Sequence, residues 1–169
     1  EGRFLGALGS DVPMKPCGVA ISGDRLYVTD LKNHCVRVYN KSNREQLFTV
    51  PCDTNVEAAK LFQPTNIAID KSGNMYVSDT TAFRVQVYDA DGNHLRAFGG
   101  LGIQPGRFNL PKGIGVDRES RVYVVDAATN VVQLFDNEGK LLMYFGDPAT
   151  SGDGGLYLPA GLAIDYENV

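Results

Sequence analysis

Apolar positions along this chain fall into short runs of about four to six residues, rich in Val, Ile, Tyr and Phe, partly alternating, and broken by turn residues. That pattern predicts short strands rather than helices. Four of the runs start on a proline: Pro16-Cys17-Gly18-Val19-Ala20-Ile21, Pro64-Thr65-Asn66-Ile67-Ala68-Ile69-Asp70, Pro111-Lys112-Gly113-Ile114-Gly115-Val116-Asp117 and Pro159-Ala160-Gly161-Leu162-Ala163-Ile164-Asp165. The prolines are 48, 47 and 48 residues apart. Each complete copy continues with an aromatic-Val-x-Asp run: Tyr27-Val28-Thr29-Asp30, Tyr76-Val77-Ser78-Asp79 and Tyr123-Val124-Val125-Asp126. A third run follows as Val36-Arg37-Val38-Tyr39, Val85-Gln86-Val87-Tyr88 and Val132-Gln133-Leu134-Phe135. A turn and a last strand close the copy, as in 91–99 and 138–146.

Four short strands recurring every roughly 45–50 residues make the blade of a β-propeller, an all-β architecture of four-stranded antiparallel sheets. Turns at Ser22-Gly23-Asp24, Lys71-Ser72-Gly73-Asn74 and Asp91-Gly92-Asn93 separate the strands. Small residues at the centre of the first strand (Ala20, Ala68, Gly115, Ala163) suit a crowded hub. One helical turn is expected where Thr54-Asn55-Val56-Glu57 forms a capping-box pattern ahead of Ala58-Ala59-Lys60-Leu61-Phe62. The blades are predicted at 16–50, 64–99 and 111–146. Residues 1–9 match the last strand of a preceding blade, and 159–169 supply the first strand of a further one. Three blades do not close a ring, since propellers use about four to eight. The chain is therefore expected to be an incomplete ring, one segment of a longer propeller. Self-association that completes the ring is the alternative.

Composition narrows the function classes. The formal net charge of −4 and pI near 5.1 argue against a dedicated nucleic-acid binder, whose domain pI usually exceeds about 9. No apolar run approaches the ~18 residues of a membrane-spanning helix, and no basic stem with an apolar stretch opens the sequence. Nineteen glycines fit a fold with many turns.

Pro-x-Gly-Ile-Gly-Val-Asp at 111–117, Tyr-Val-x-Asp at 76–79, Arg84-Val85-Gln86-Val87-Tyr88-Asp89, and Phe98-Gly99 followed by Gly106-Arg107-Phe108-Asn109-Leu110-Pro111 resemble the NHL repeat family. The resemblance covers nearly the whole chain and implies a six-bladed propeller. It further implies an interaction or binding module, with a few lyases and hydrolases among related propellers. The family's usual Asn-His-Arg after the second strand survives as Asn33-His34-Cys35, but becomes Ala82-Phe83-Arg84 and Thr129-Asn130-Val131 in the other copies.

Catalytic signals are sparse. His34 and His94 sit in different repeats, and the sequence holds no His-x-x-x-His, Cys-x-x-Cys or Gly-x-Ser-x-Gly. No catalytic residue and no metal ligand is assigned, and no cofactor is expected. The rival reading is a propeller enzyme of lyase or hydrolase type, with a central divalent metal whose ligands lie mostly in other blades. Asp30, Asp79 and Asp126 after the second strands, and Asp70, Asp117 and Asp165 after the first, recur once per repeat. A cation-binding carboxylate ring is one reading. The better one is an Asx-turn role, because a turn is needed in every blade and a catalytic group only once. Asn66 stands where the other copies carry glycine, and asparagine tolerates left-handed backbone.

Cys17, Cys35 and Cys52 share the first repeat. Cys17 and Cys35 start strands two spacings apart, about 9.5 Å, beyond the ~7 Å limit for bridging. Cys35 and Cys52 bracket a hairpin and are the candidate disulfide in an oxidising compartment; otherwise they are free, partly buried thiols. That pairing gives a lean toward a periplasmic or secreted location. A zinc site adding His34 is disfavoured, because neighbouring strand residues point to opposite faces. The loops after the second strands differ most between copies, and loops varied on a common frame are where binding usually resides. The candidate binding residues are Lys32, Asn33, His34, Thr81, Phe83, Thr129 and Asn130, with Asn66 at the hub. The expected partner is a protein or peptide.

Overall fold

The computed structural model describes residues 6–8, 12–53, 55–146 and 156–165. Three four-stranded antiparallel sheets follow one another along the chain, each a simple meander. The first holds β1 (Pro16–Ser22), β2 (Arg25–Asp30), β3 (Cys35–Asn40) and β4 (Gln46–Val50). The second holds β5 (Pro64–Ile69), β6 (Met75–Asp79), β7 (Arg84–Tyr88) and β8 (His94–Gly99). The third holds β9 (Pro111–Val116), β10 (Val122–Asp126), β11 (Val131–Phe135) and β12 (Leu141–Gly146). The first strands β1, β5 and β9 lie side by side at a common hub. The fold is thus a β-propeller segment without a closed ring.

Alternation along each strand sends one set of side chains toward the preceding sheet and the other toward the next. Two cores result, and both lie between sheets. Tyr27, Val36, Val38 and Val50 of the first sheet pack on Ile67, Met75, Val77 and Tyr88 of the second. The opposite face of the second sheet offers Tyr76, Val85 and Val87 to Phe108, Ile114, Val122, Val124 and Phe135. Phe135 stacks at tilted angles on Phe98 and Phe108, with centroids 4.9 and 5.6 Å away. Burying one such aliphatic or aromatic side chain contributes about 1.5–3 kcal/mol.

Hydroxyls tie the hub across sheets. Thr29 Oγ1 accepts the Gly18 amide at 2.7 Å and reaches the Thr65 carbonyl at 3.3 Å. Thr80 Oγ1 donates to the Pro111 carbonyl at 2.7 Å and meets Thr65 Oγ1 at 2.7 Å. Close approach explains Gly18: a Cβ there would stand 2.6 Å from the Thr65 oxygen and 2.8 Å from Asn66 Cα. Neither Gly18 nor Asn66 has positive φ, so the expected left-handed tolerance is not what this position uses. Space is the constraint, and nothing in the structure explains the asparagine itself.

Of three other expectations, the single helical turn is present, the first strand of a further blade does not form, and the strand at 1–9 falls mostly outside the described residues. The turn at Glu57–Ala59 is a 3-10 turn capped by Val56 without a side-chain cap bond, and Thr54 lies outside the described residues. Glu57 instead pairs with Lys60 at 2.5 Å. Residues 156–165 form no strand. An inner strand needs a ladder partner, and among the described residues none follows, although Leu162 and Ile164 approach within 3.2 and 2.7 Å of where a Gly115 Cβ would stand. Of the expected strand at 1–9, residues 1–5 and 9 lie outside the described set, and 6–8 carry no strand.

Candidate functional site

Pro16, Pro64 and Pro111 open their sheets at the same end where the loops after β2, β6 and β10 emerge, because Pro16 pairs with Asp30, Pro64 with Asp79 and Pro111 with Asp126. Each of these aspartates is fully buried and organises the loop-bearing face. Asp30 Oδ1 accepts the amides of Lys15, Lys32 and Asn33 at 3.0, 3.1 and 3.3 Å. Asp79 Oδ1 accepts those of Phe62 and Gln63 at 2.9 and 2.7 Å. Asp126 accepts four, from Asn109, Leu110, Ala128 and Thr129, at 2.7 to 3.3 Å. All three carboxylates therefore fasten the segment that leads into their sheet, and Asp30 and Asp126 also fasten the loop that follows. Asp70 and Asp117 hold the turns at the other end, taking amides two and four residues on.

Charge at Asp30 is set by competing effects. Burial pushes its carboxyl up, but bonds from the Asn33 side chain, the Lys15 amide and Arg37 outweigh this and bring it to about 2. Arg37 Nε lies 2.9 Å from its Oδ2. The Asp89 and Asp117 carboxyls are also lowered, since side-chain and amide bonds from Asn93 and Arg121 overcome burial.

The three loops share one backbone device. His34, Phe83 and Asn130 occupy the same left-handed position, at φ of 54°, 56° and 57°. Asparagine and histidine visit that region more readily than most residues, whereas a phenylalanine there is strained. Not all the residues singled out by sequence are available to a ligand. Asn33 Nδ2 donates to the Pro13 carbonyl at 3.0 Å and to Asp30 Oδ2 at 2.6 Å, so its side chain clamps the loop. Asn130 is buried, and its Oδ1 accepts the Leu158 amide at 2.9 Å. Lys32 and Thr81 are exposed, while Phe83 is half-buried. Asn66 lies on the inner strand β5, half-buried and apart from the loops.

Two grooves open among these loops. The larger, about 670 Å³, runs between the first sheet and the connection into the second; Asn33, His34, Cys35 and Arg37 face Glu57, Lys60 and Phe62 across it. His34 Nδ1 bonds the Phe62 carbonyl, and the Arg84 guanidinium lies 5.8 Å from the Phe62 ring centre. The smaller, about 390 Å³, lies between the third sheet and the connection before it, walled by Ile103, Pro105, Thr129, Val131, Gln133 and Tyr144. Sequence reading missed Lys60, Phe62 and Tyr144, because they reach the face from connections and outer strands. Comparing the strand position Cys35/Arg84/Val131 between copies was the available signal.

The cysteines are free thiols. Cys52, the expected partner of Cys35, turns instead toward the second sheet, where its thiol donates to the Asp91 carbonyl at 2.9 Å. Burial pushes both thiols up, and at Cys52 the Asp89 and Asp91 charges add to it. Protonated thiols are weak nucleophiles and weak metal ligands. His34 stands at the loop face, whereas His94 begins β8 at the opposite end, bonded to Gln86 Oε1 at 2.9 Å. Among the described residues no three His, Cys, Asp or Glu side chains gather to hold a metal. Among them, too, no helix is long and apolar enough to cross a membrane.

Comparison with known proteins agrees with this architecture. The NHL repeat profile matches residues 14–39. No curated protein matches the chain in sequence. Among solved structures it is similar to the nidogen/laminin complex, at 21% identity and TM-score 0.68, covering 90% of this chain and 53% of that one. It is also similar to hydrazine synthase of Kuenenia stuttgartiensis, at 18% identity and TM-score 0.66, covering 95% and 42%. A catalytically inactive virginiamycin B lyase from Staphylococcus aureus with quinupristin aligns at 12% identity and TM-score 0.65, covering 90% and 46%. The chain spans about half the length of these structures, and the likeness is one of fold.

Proposed function

Taking the chain as a segment of a β-propeller with an NHL repeat near its start, we propose that it is a non-catalytic binding or scaffold module. It presents the loops of one face to a protein or peptide partner. The observation that carries this reading is the shared left-handed position of three chemically different residues, His34, Phe83 and Asn130, at equivalent points of the three loops, with His34 exposed and Phe83 half-buried at the face. A common frame with varied tips suits recognition of a surface or an extended segment. Grooves beside two of the loops add concave, largely apolar walls with a few polar groups, the usual make-up of a recognition cleft. Nidogen, whose solved complex is with laminin, has a fold of this type.

The test places a photo-crosslinking amino acid in the intact protein at Lys32, at Phe83 and, on the opposite face, at Lys71. Partner crosslinks concentrated at Lys32 and Phe83 are expected. Crosslinks of equal or greater yield at Lys71 would overturn the reading.

A further inference from the structure

The three sheets treat their buried loop-face aspartate differently. Its cross-strand partner is Cys35 in the first sheet, Arg84 in the second and Val131 in the third. In the first, Arg37, two residues along the same strand, supplies the cation to Asp30. In the second, Arg84 lies 3.4 Å from Asp79 Oδ2 and donates to the Lys60 carbonyl at 2.7 Å, bridging from strand to preceding connection. In the third, the two positions are Val131 and Gln133, and among the described residues Asp126 has no arginine or lysine partner. The cavity of about 390 Å³ occupies this same gap, between β11 and the connection carrying Ile103 and Pro105.

We propose that this cavity receives the arginine side chain of a bound peptide, which sits in the field of the buried Asp126 carboxylate at the place where the second sheet carries its own Arg84. The inference rests on the peptide-binding reading above and names the chemistry of the partner. Three features favour a guanidinium. Asp126 is wholly buried beside the cavity, its amide partners Ala128 and Thr129 and its strand partner Val131 forming the wall. Thr129 Oγ1 is buried in that wall without a hydrogen-bond partner and can accept an N–H. Tyr144, 49% exposed, offers a ring against which a planar cation stacks better than an ammonium. The 147–155 stretch contains no Lys or Arg.

The experiment titrates the intact protein with a capped Gly-Arg-Gly peptide and with its citrulline and lysine counterparts, by calorimetry. The arginine peptide is expected to bind at least about tenfold tighter than the citrulline peptide, the cost of losing a charged hydrogen-bonding partner. Val131→Arg fills the gap from within and is expected to weaken the arginine peptide by a similar factor while the thermal midpoint does not fall. Should that variant unfold, Tyr144→Ala decides, with an expected loss of about threefold. Equal affinity for arginine and citrulline, or binding indifferent to these substitutions, overturns the proposal. If no arginine dependence appears but crosslinks still concentrate at Lys32 and Phe83, the arginine pocket fails and the binding reading stands.

Discussion

The middle sheet and the first sheet carry the same residue pattern, yet the structure uses them differently. Ile67 on β5 is 6% exposed because the first sheet covers it, whereas its counterpart Val19 on β1 is 66% exposed and Ile21 62%. Sequence sets which side chains point toward the preceding sheet, and a neighbour decides whether that pointing stabilises anything. Stability in such a stack is close to a sum of intrinsic sheet terms and nearest-neighbour interfaces. The middle sheet has both interfaces; the first has one among the described residues.

Removing a side chain at an interface breaks the comparison most sharply. Phe108→Ala empties a fully buried site against Phe135 and is expected to cost about 3–5 kcal/mol in chemical denaturation. Acid acts next. The Asp30 carboxyl is lowered to about 2 in the folded chain, below its unfolded value near 4. Its contribution, about 2 kcal/mol, is therefore complete above pH about 4 and fades as the pH falls toward 2. Denaturation midpoints measured from pH 5 to 2 check this, and replacing Arg37 with Gln should reduce the slope. Ile21→Ala is the smallest effect, within about 0.5 kcal/mol in this chain. A loss near that of an interface residue, measured in the same way, would mean that the first sheet's open face is covered after all.

The strands and their bounds were legible because alternation and turn chemistry are local, and a repeat shows each signal three times. Legibility ended where a side chain's fate depends on another sheet. Asn33 and Asn130 look like free loop amides in sequence, but both hold backbone elsewhere in the chain. Cys52 looks like a partner for Cys35 across a hairpin, yet it answers to the Asp91 carbonyl of the next sheet. The pattern at 54–57 reads as a capping box, but Glu57 is taken by Lys60 and the turn stays 3-10. The candidate site was half visible: its loops stood out by their variation, while Lys60, Phe62 and Tyr144 enter it from segments without any loop signature. Recurring aspartates were read as turn formers, and at Asp30, Asp70, Asp117 and Asp126 bonds from amides two residues on bear this out, whereas Asp79 takes its amides from the arriving connection. Their second set of amides, from the preceding connection, lies beyond any short-range pattern.

Anchoring by Asp30, Asp79 and Asp126 has an evolutionary consequence. Because a carboxylate holds the arriving segment in every sheet and the backbone turns left-handed at the same point, an imidazole, a phenyl ring and a carboxamide can stand at equivalent positions in successive sheets. Where that position is open to solvent, as at His34, mutation exchanges the offered functional group while the supporting frame keeps its geometry. A lineage built on this scaffold can change what it recognises in single steps, without first having to reinvent the fold.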